Sequence, residues 1–501
     1  MGYHVVVSKR VIIVGAGPGG LAAAMLLARR GLEVTLIEKQ PRVGGRTSPI
    51  EGDGFRFDLG PTFFLYPQIL EEIFAEVGRD LRREVAMKRL DPQYRLVFGA
   101  GGELLCSPDV ERMVAEIAKL APDDAPAFRR FMRDNRVKLE KFSPCLQMPF
   151  CSWTDLVNQR MLAVLPYLKP WKSLHAELAG YFRDPRLQLA FTFQSKYLGM
   201  SPFQCPSLFS ILSFLEYEHG IWHPIGGCNA LTRAMARVAT ELGATLRLNE
   251  PVLEILFENR RAVGVRTAQG EYRADALIVN ADFGHAMTTL VPNHLRRKWT
   301  NETLARKRFS CSTFMLYLGL EGRCDELQHH NIYITSDYRR NLEDIEQRHV
   351  LSEDPSFYVE NPCRTDATMA PPGHSALYVL VPVSHRHPNI DWNRERERYR
   401  QVVLRQLTRI GVRDVEKRIR FERSVTPADW ESKVGIYKGA TFNLAHNLGQ
   451  MLHLRPRNRF EEFERMYLVG GGTHPGSGLP VIFESARITS RLVLQDLTGS
   501  E

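Results

Sequence analysis

Two glycine clusters flank one acidic residue near the start of the chain: Gly15-Ala16-Gly17-Pro18-Gly19-Gly20, then Glu38, then Gly44-Gly45-Arg46. The first spacing suits a dinucleotide pyrophosphate. Gly15 turns the chain, Gly17 lets the phosphates approach the backbone, and Gly20 lets a helix lie close to the preceding strand. Amides at the helix start, where Pro18 and Gly19 sit, would face those phosphates with the positive end of the helix dipole behind them. Glu38, with Lys39 beside it, would accept hydrogen bonds from both ribose hydroxyls and repel a 2′-phosphate, which disfavours NADP. Gly45 and Arg46 offer a second backbone approach and a guanidinium fork to the same pyrophosphate, against a plain surface turn as the alternative. Near the other end, Gly470-Gly471-Gly472-Thr473-His474-Pro475-Gly476-Ser477-Gly478 precedes Leu479-Pro480-Val481. This segment is either a shaped ligand turn or a flexible loop.

These residues need elements to hold them. Val11-Ile12-Ile13-Val14 reads as a parallel strand buried on both faces, residues 21–30 as a helix stopped by Gly31, and residues 33–38 as a second strand. Together they predict a βαβ opening. Residues 109–220 carry helical periodicity, with Met113, Ile117 and Leu120 on one face, then a Pro-punctuated apolar stretch. Residues 252–257, 263–267 and 272–279 predict a three-stranded meander. Strands are also expected at 314–320, 376–381 and 466–469, and a helix from about Val481 onward.

At 501 residues, with 44% hydrophobic and 25% charged residues, the chain is globular in composition and neither disordered nor fibrous. Lys and Arg number 66 against 57 acidic residues, a net +9 that is spread out and without a nucleic-acid-reading motif. Nucleic acid is therefore not an expected partner. The eight cysteines form no CxxC pair and no zinc-type spacing with histidine, and read as reduced thiols. Residues 1–8 are too short for a signal-peptide core, and no apolar run spans a bilayer, although attachment to one face is open. His219 and His223 are four apart, but Gly220 and Pro224 argue against a shared helix. His329-His330 and His385-x-His387 lack a carboxylate constellation and read as solvated, so no metal site is expected. No Ser/His/Asp arrangement supports hydrolysis. Asp282 reads as the cap of a helix beginning at Phe283.

Residues 15–46 resemble the FAD-binding opening of the amine oxidase and carotenoid desaturase superfamily. More specifically, Gly54-Phe55-Arg56-Phe57-Asp58-Leu59-Gly60-Pro61-Thr62, Trp222-His223-Pro224-Ile225-Gly226-Gly227, Asn280-Ala281-Asp282, residues 376–382 and 460–468, and Gly472-Thr473-His474-Pro475-Gly476 resemble phytoene desaturases of the bacterial and fungal type. The likeness covers essentially the whole chain. It implies an α/β fold: a discontinuous Rossmann-like FAD domain (1–85, 223–300, 440–501), a mixed α+β substrate domain (86–110, 301–439) and a helical, membrane-associating insertion (111–222). It implies FAD contacts at Gly15, Gly17, Pro18, Gly19, Gly20, Glu38, Lys39, Gly45, Arg46, Pro61, Thr62, Val252, Gly471, Gly472, Pro480 and Val481, the last helix aiming its N-terminus at the flavin.

The implied reaction is desaturation of an acyclic carotenoid precursor, of phytoene or dehydrosqualene type, with hydride passing from an allylic carbon to the flavin and a proton leaving the neighbouring carbon. Glu484 and His474 are candidate proton acceptors by position alone; each reads equally as a helix-start carboxylate and a turn histidine. A quinone or oxygen must reoxidise the flavin. A carotenoid oxygenase, a later-step desaturase, a polyene isomerase and, remotely, a flavin-free prenyl-lipid carrier share the scaffold. The chain departs from the family after THPG, where Ser477-Gly478-Leu479-Pro480-Val481 replaces the usual Ala-Gly-Ile-Pro-Gly, which leaves substrate length and reaction step open. Residues 161–172 combine apolar side chains with Tyr167, Lys169, Trp171 and Lys172, the composition of an interfacial anchor, with a buried helix as the alternative. The expectation is a cytoplasmic protein attached peripherally to the inner face of the cell membrane.

Overall fold

The computed structural model describes residues 8–152, 154–155, 159–169 and 171–499. Residues 1–7 of the segment read for a leader, and Pro170 of the 161–172 stretch, lie outside the described residues. The fold is mixed α/β. The apolar run at 11–14 forms the strand Arg10–Val14, at the centre of a five-stranded parallel sheet. It lies between Glu33–Ile37 and Ala276–Val279, with Thr245–Arg247 and Met466–Leu468 at the edges. The helix Pro18–Arg29 starts with proline in its first turn, where no amide is needed, and buries residues 19–28. It is Ala-rich because it is covered by the sheet, by Asn229–Glu241 and by the C-terminal helix Leu479–Thr498.

The expected third meander strand over 272–279 is corrected: the chain splits there. Gly270–Arg273 pairs antiparallel with Arg261–Thr267, while Ala276–Val279 enters the parallel sheet beside Arg10–Val14. The division follows side-chain chemistry. Gly270-Glu271-Tyr272-Arg273 is exposed or half-buried, whereas Ala276-Leu277-Ile278-Val279 is buried on both faces. Asp275 sits at the switch, its carboxylate accepting from the Arg10 amide at 2.8 Å.

The second layer is a seven-stranded sheet in the order Ile419–Val425, Ser312–Glu321, His374–Val383, Phe357–Glu360, His330–Ile334, Tyr94–Phe98, Glu103–Cys106. It contains the strands expected at 314–320 and 376–381. A small sheet of Phe64–Leu65, Ile221–Pro224 and Met87–Arg89 links this layer to the parallel one. The middle of the chain supplies helices, among them Val110–Leu120, where Met113 and Ile117 are buried and Leu120 half-buried, Ala127–Leu146, Gln159–Leu168 and Ser210–His219. Among the described residues no helix is long and apolar enough to cross a membrane.

Candidate functional site

At the C-terminal edge of the parallel sheet, Gly15 adopts φ +100°, and its amide donates to the Ile37 carbonyl at 2.8 Å. The Gly44 amide donates to the Ala16 carbonyl at 2.8 Å, which lays the second glycine turn against the first. A Cβ on Gly45 would come within 3.3 Å of the Gly17 Cα. The two turns thus form one continuous backbone surface with almost no side chain on it. Glu38 is buried at its rim, one oxygen accepting from the Ala16 amide (2.8 Å) and the other from the Gln40 amide (2.9 Å).

Arg46 donates to the Thr441 carbonyl at 2.6 Å and to Asp282 at 2.8 Å. Asp282 does cap the helix Phe283–Leu290, accepting from the His285 amide, and it also fixes the Arg46 fork. That second role had no signal in the sequence, because the partners are far apart along the chain. Asn280 is a further positioning residue that sequence reasoning missed: its side-chain amide donates to the Gly15 carbonyl at 2.9 Å and props the turn open.

These turns open onto a cavity of about 850 Å³, within the range of small-molecule and cofactor sites. Two helix N-termini face it. Pro18–Arg29 and Leu479–Thr498 both begin at glycines, Gly17 and Gly478, without a side-chain cap. Their first-turn amides are therefore free for a ligand, and both dipoles favour negative charge there. A pyrophosphate fits the first and the pyrimidine edge of a reduced flavin the second, so the residues present suit FAD.

Of the residues expected at the cofactor, Gly15, Gly17, Pro18, Gly19, Glu38, Lys39, Gly45, Arg46, Pro61, Thr62, Val252, Gly471, Gly472, Pro480 and Val481 line this cavity. Gly20 does not. It packs beneath the turn, where a Cβ would meet the Gly15 carbonyl oxygen at 2.3 Å.

Beyond the glycines the same cavity continues between apolar and aromatic side chains, including Leu212, Leu215, Ile332, Phe357 and Leu380. Two tyrosine hydroxyls on this wall are held back by partners: Tyr378 donates to the Gly60 carbonyl at 2.7 Å, and Tyr358 shares a 2.8 Å hydrogen bond with Thr62. These two residues thus present ring surface to a guest.

The two proton-acceptor candidates lie elsewhere. His474 is buried behind the turn, edge-on to Phe150 at 5.0 Å; burial and the nearby Arg455 push its pKa down to about 3, and it does not line the cavity. Glu484 turns away toward Arg487 (3.2 Å) and Arg491 (3.7 Å). Helical periodicity explains this, since the cavity takes the first turn at residues 479–482 and Glu484 is rotated off it. His329 and His330, expected in solvent, are corrected as buried: His330 opens a strand of the seven-stranded sheet and His329 immediately precedes it, and Thr365 and Tyr358 satisfy one nitrogen of each at 2.8 Å. His219 ends a helix and His223 lies in a strand, so the pair shares no helix.

Residues 18–494 match the flavin containing amine oxidoreductase family. The chain is 44% identical over 490 residues to a 4,4′-diapophytoene desaturase (4,4′-diapolycopene-forming) of Methylomonas sp., covering 97% of this chain and 96% of the relative. It is 41% identical over 494 residues to an all-trans-zeta-carotene desaturase of Myxococcus xanthus, covering 96% and 92%. A solved oxidoreductase from Methanosarcina mazei shares the fold, with a TM-score of 0.62 at 18% identity over 95% of this chain and 99% of that one. With its two glycine turns and two open helix N-termini on one cavity, the chain belongs to the carotenoid desaturases of the flavin-containing amine oxidoreductase family, and FAD is its cofactor.

Proposed function

We propose that the protein desaturates an acyclic carotenoid precursor of the diapophytoene or phytoene class. The observation that carries this reading is the single cavity that runs from bare backbone turns to an apolar, aromatic wall. Bound FAD supplies the hydride acceptor. The chain's own contribution is placement: Gly15, Gly17, Gly45 and Arg46 hold the pyrophosphate, Glu38 the ribose, Pro480 and Val481 the flavin edge. The apolar wall aligns the polyene and excludes water. In this reading segments 1–85, 223–300 and 440–501 carry the cofactor, 86–110 and 301–439 the substrate, and 111–222 meets the membrane. A quinone or oxygen takes the electrons onward. The relatives named above support the substrate class, since one acts on a diapophytoene and the other on zeta-carotene.

Expression in a colourless host making either dehydrosqualene or phytoene tests the activity. Extracted lipids should lose hydrogens in pairs and absorb at longer wavelength in one host or both, the better host giving the chain length. Unchanged precursors in both hosts, from a protein shown to hold FAD, would overturn the reading in favour of a later, more oxidised polyene.

Delivery of such a lipid calls for a bilayer contact, at the inner face of the cell membrane in this reading. Leu162 and Trp171, in the stretch read as an interfacial anchor, are 52% and 81% exposed, which supports that role over a buried helix. The protein should co-sediment with anionic liposomes at low salt. A Leu162→Ser, Trp171→Ser double variant should lose at least about tenfold in partitioning, because each apolar side chain contributes roughly 1.5–3 kcal/mol when buried in the interface. Equal sedimentation of the two proteins would remove this segment from membrane binding.

A further inference from the structure

One layer behind the cavity wall, His223, His329 and Glu360 meet in the interior, at 1%, 3% and 1% exposure. His223 comes from the small linking sheet, His329 from the residue before the strand His330–Ile334, and Glu360 from the end of Phe357–Glu360. A ring nitrogen of each histidine and an oxygen of Glu360 lie within 4.8 Å of one another. His329 Nε2 stands 3.4 Å from Glu360 Oε1 without hydrogen-bond geometry. Each histidine is oriented through one nitrogen: His223 Nε2 lies 3.1 Å from Asp366 Oδ2, and His329 Nδ1 2.8 Å from Thr365 Oγ1. What remains, His223 Nδ1, His329 Nε2 and both Glu360 oxygens, has no hydrogen-bond partner.

Four buried polar atoms left without partners would destabilise the fold unless something satisfies them. The charge balance points the same way. Asp58, Glu360 and Asp366 are all buried here, and among the described residues no Lys or Arg is ion-paired with any of them; their only such contacts are to His223 and His329.

We propose that His223, His329 and Glu360 bind a divalent first-row transition metal, zinc or ferrous iron, at a structural site. Two imidazole nitrogens with a carboxylate are a donor set these ions take, whereas calcium and magnesium prefer oxygen alone. Metal–nitrogen bonds of about 2.0–2.1 Å put neighbouring ligands of a tetrahedral site roughly 3.4 Å apart, the separation of His329 Nε2 and Glu360 Oε1. The Asp366–His223 and Thr365–His329 contacts are the outer hydrogen bonds that orient imidazole ligands and settle their tautomers. A dication also offsets two of the three buried carboxylate charges. None of the three ligands lines the large cavity, so the ion sits closed off from the substrate.

Its task is to staple the small linking sheet to the seven-stranded sheet just where they back the wall. The adjacent His330 stacks on Phe63 at 4.1 Å and hydrogen-bonds Tyr358 at 2.8 Å, and both of those residues face the cavity.

The test is elemental analysis of the FAD-loaded protein after dialysis against metal-free buffer, beside His329→Gln and Glu360→Gln variants. About one zinc or iron per chain is expected in the wild type, with a loss of roughly tenfold or more in each variant at unchanged FAD occupancy. Wild-type protein stripped with a chelator should take up added Zn2+ alone at about one per chain, with a raised unfolding temperature; this arm does not depend on the variants folding. A wild-type protein without stoichiometric metal that also takes up no zinc when stripped would overturn the proposal. So would variants that keep the full metal content.

Discussion

A Gly20→Ala variant is expected to purify without its flavin. A Cβ at this position would meet the Gly15 carbonyl oxygen at 2.3 Å and the Asn280 side-chain nitrogen at 2.8 Å. Neither can yield locally. The Gly15 carbonyl is backbone, its own amide is tied to Ile37 at 2.8 Å, and the Asn280 amide is already spent on that same carbonyl. The strain is relieved only by lifting the helix Pro18–Arg29 off the strand, which drags the turn at 15–17 out of register with the amides it presents. Overpacking of this kind destabilises by about 1–3 kcal/mol. Because the same displacement removes the phosphate contacts, FAD affinity should fall by about 100-fold, or near 3 kcal/mol. Flavin absorbance per chain and titration of the apoprotein measure it. Gly31→Ala is the control: nothing lies within 4 Å of a Cβ there, the strain of its left-handed φ of +81° falls at the far end of the helix from the turn, and FAD should be retained. Wild-type affinity in Gly20→Ala would show that this turn does not carry the phosphates.

The other large effect is expected at the far wall. Leu212 and Leu215 are half-buried on the helix Ser210–His219 and line the cavity, while Ile211, Phe214 and Tyr217 bury its other side. The helix therefore keeps its packing when Leu212 changes. In Leu212→Arg, a charged head enters a space meant for hydrocarbon, and a bound polyene would strip water from it at several kcal/mol. Desaturation should fall at least about 100-fold in kcat/KM while FAD content stays at wild type. Leu212→Met, similar in volume and apolar, should stay close to wild type. An active Leu212→Arg variant would place the polyene somewhere other than this wall.

The two variants divide the cavity along a line the sequence already suggested. The βαβ opening was legible because its signals are local: a two-face apolar run, glycines at the turn, and a terminal acid, each dictated by steric or hydrogen-bonding needs within a few residues. The strands within Ser312–Glu321 and His374–Val383 were legible for the same reason, as long apolar runs. The division at Asp275 was not. Residues 272–279 read as one strand until the Arg10 amide and carbonyl claim Asp275 and part the segment between two sheets.

Side-chain roles that depend on distant partners were the least legible. Glu484 and His474 lie close in sequence to the C-terminal turn, yet rotation along the helix and burial behind the loop carry both off the cavity. The carboxylates nearest the His329-His330 pair in sequence, Asp325 and Glu326, stay exposed, and the fold instead brings up Glu360 from the sheet and Asp366 from the turn beyond it, 30 and more positions away. Composition, turn chemistry and apolar periodicity act over a few residues, so they suffice to establish a nucleotide-binding α/β chain with a large apolar region. Which side chains face the cavity, which acids bury beside which histidines, and that one cavity joins the glycine turns to the apolar wall are settled by packing between sheets, because those contacts join residues up to hundreds of positions apart.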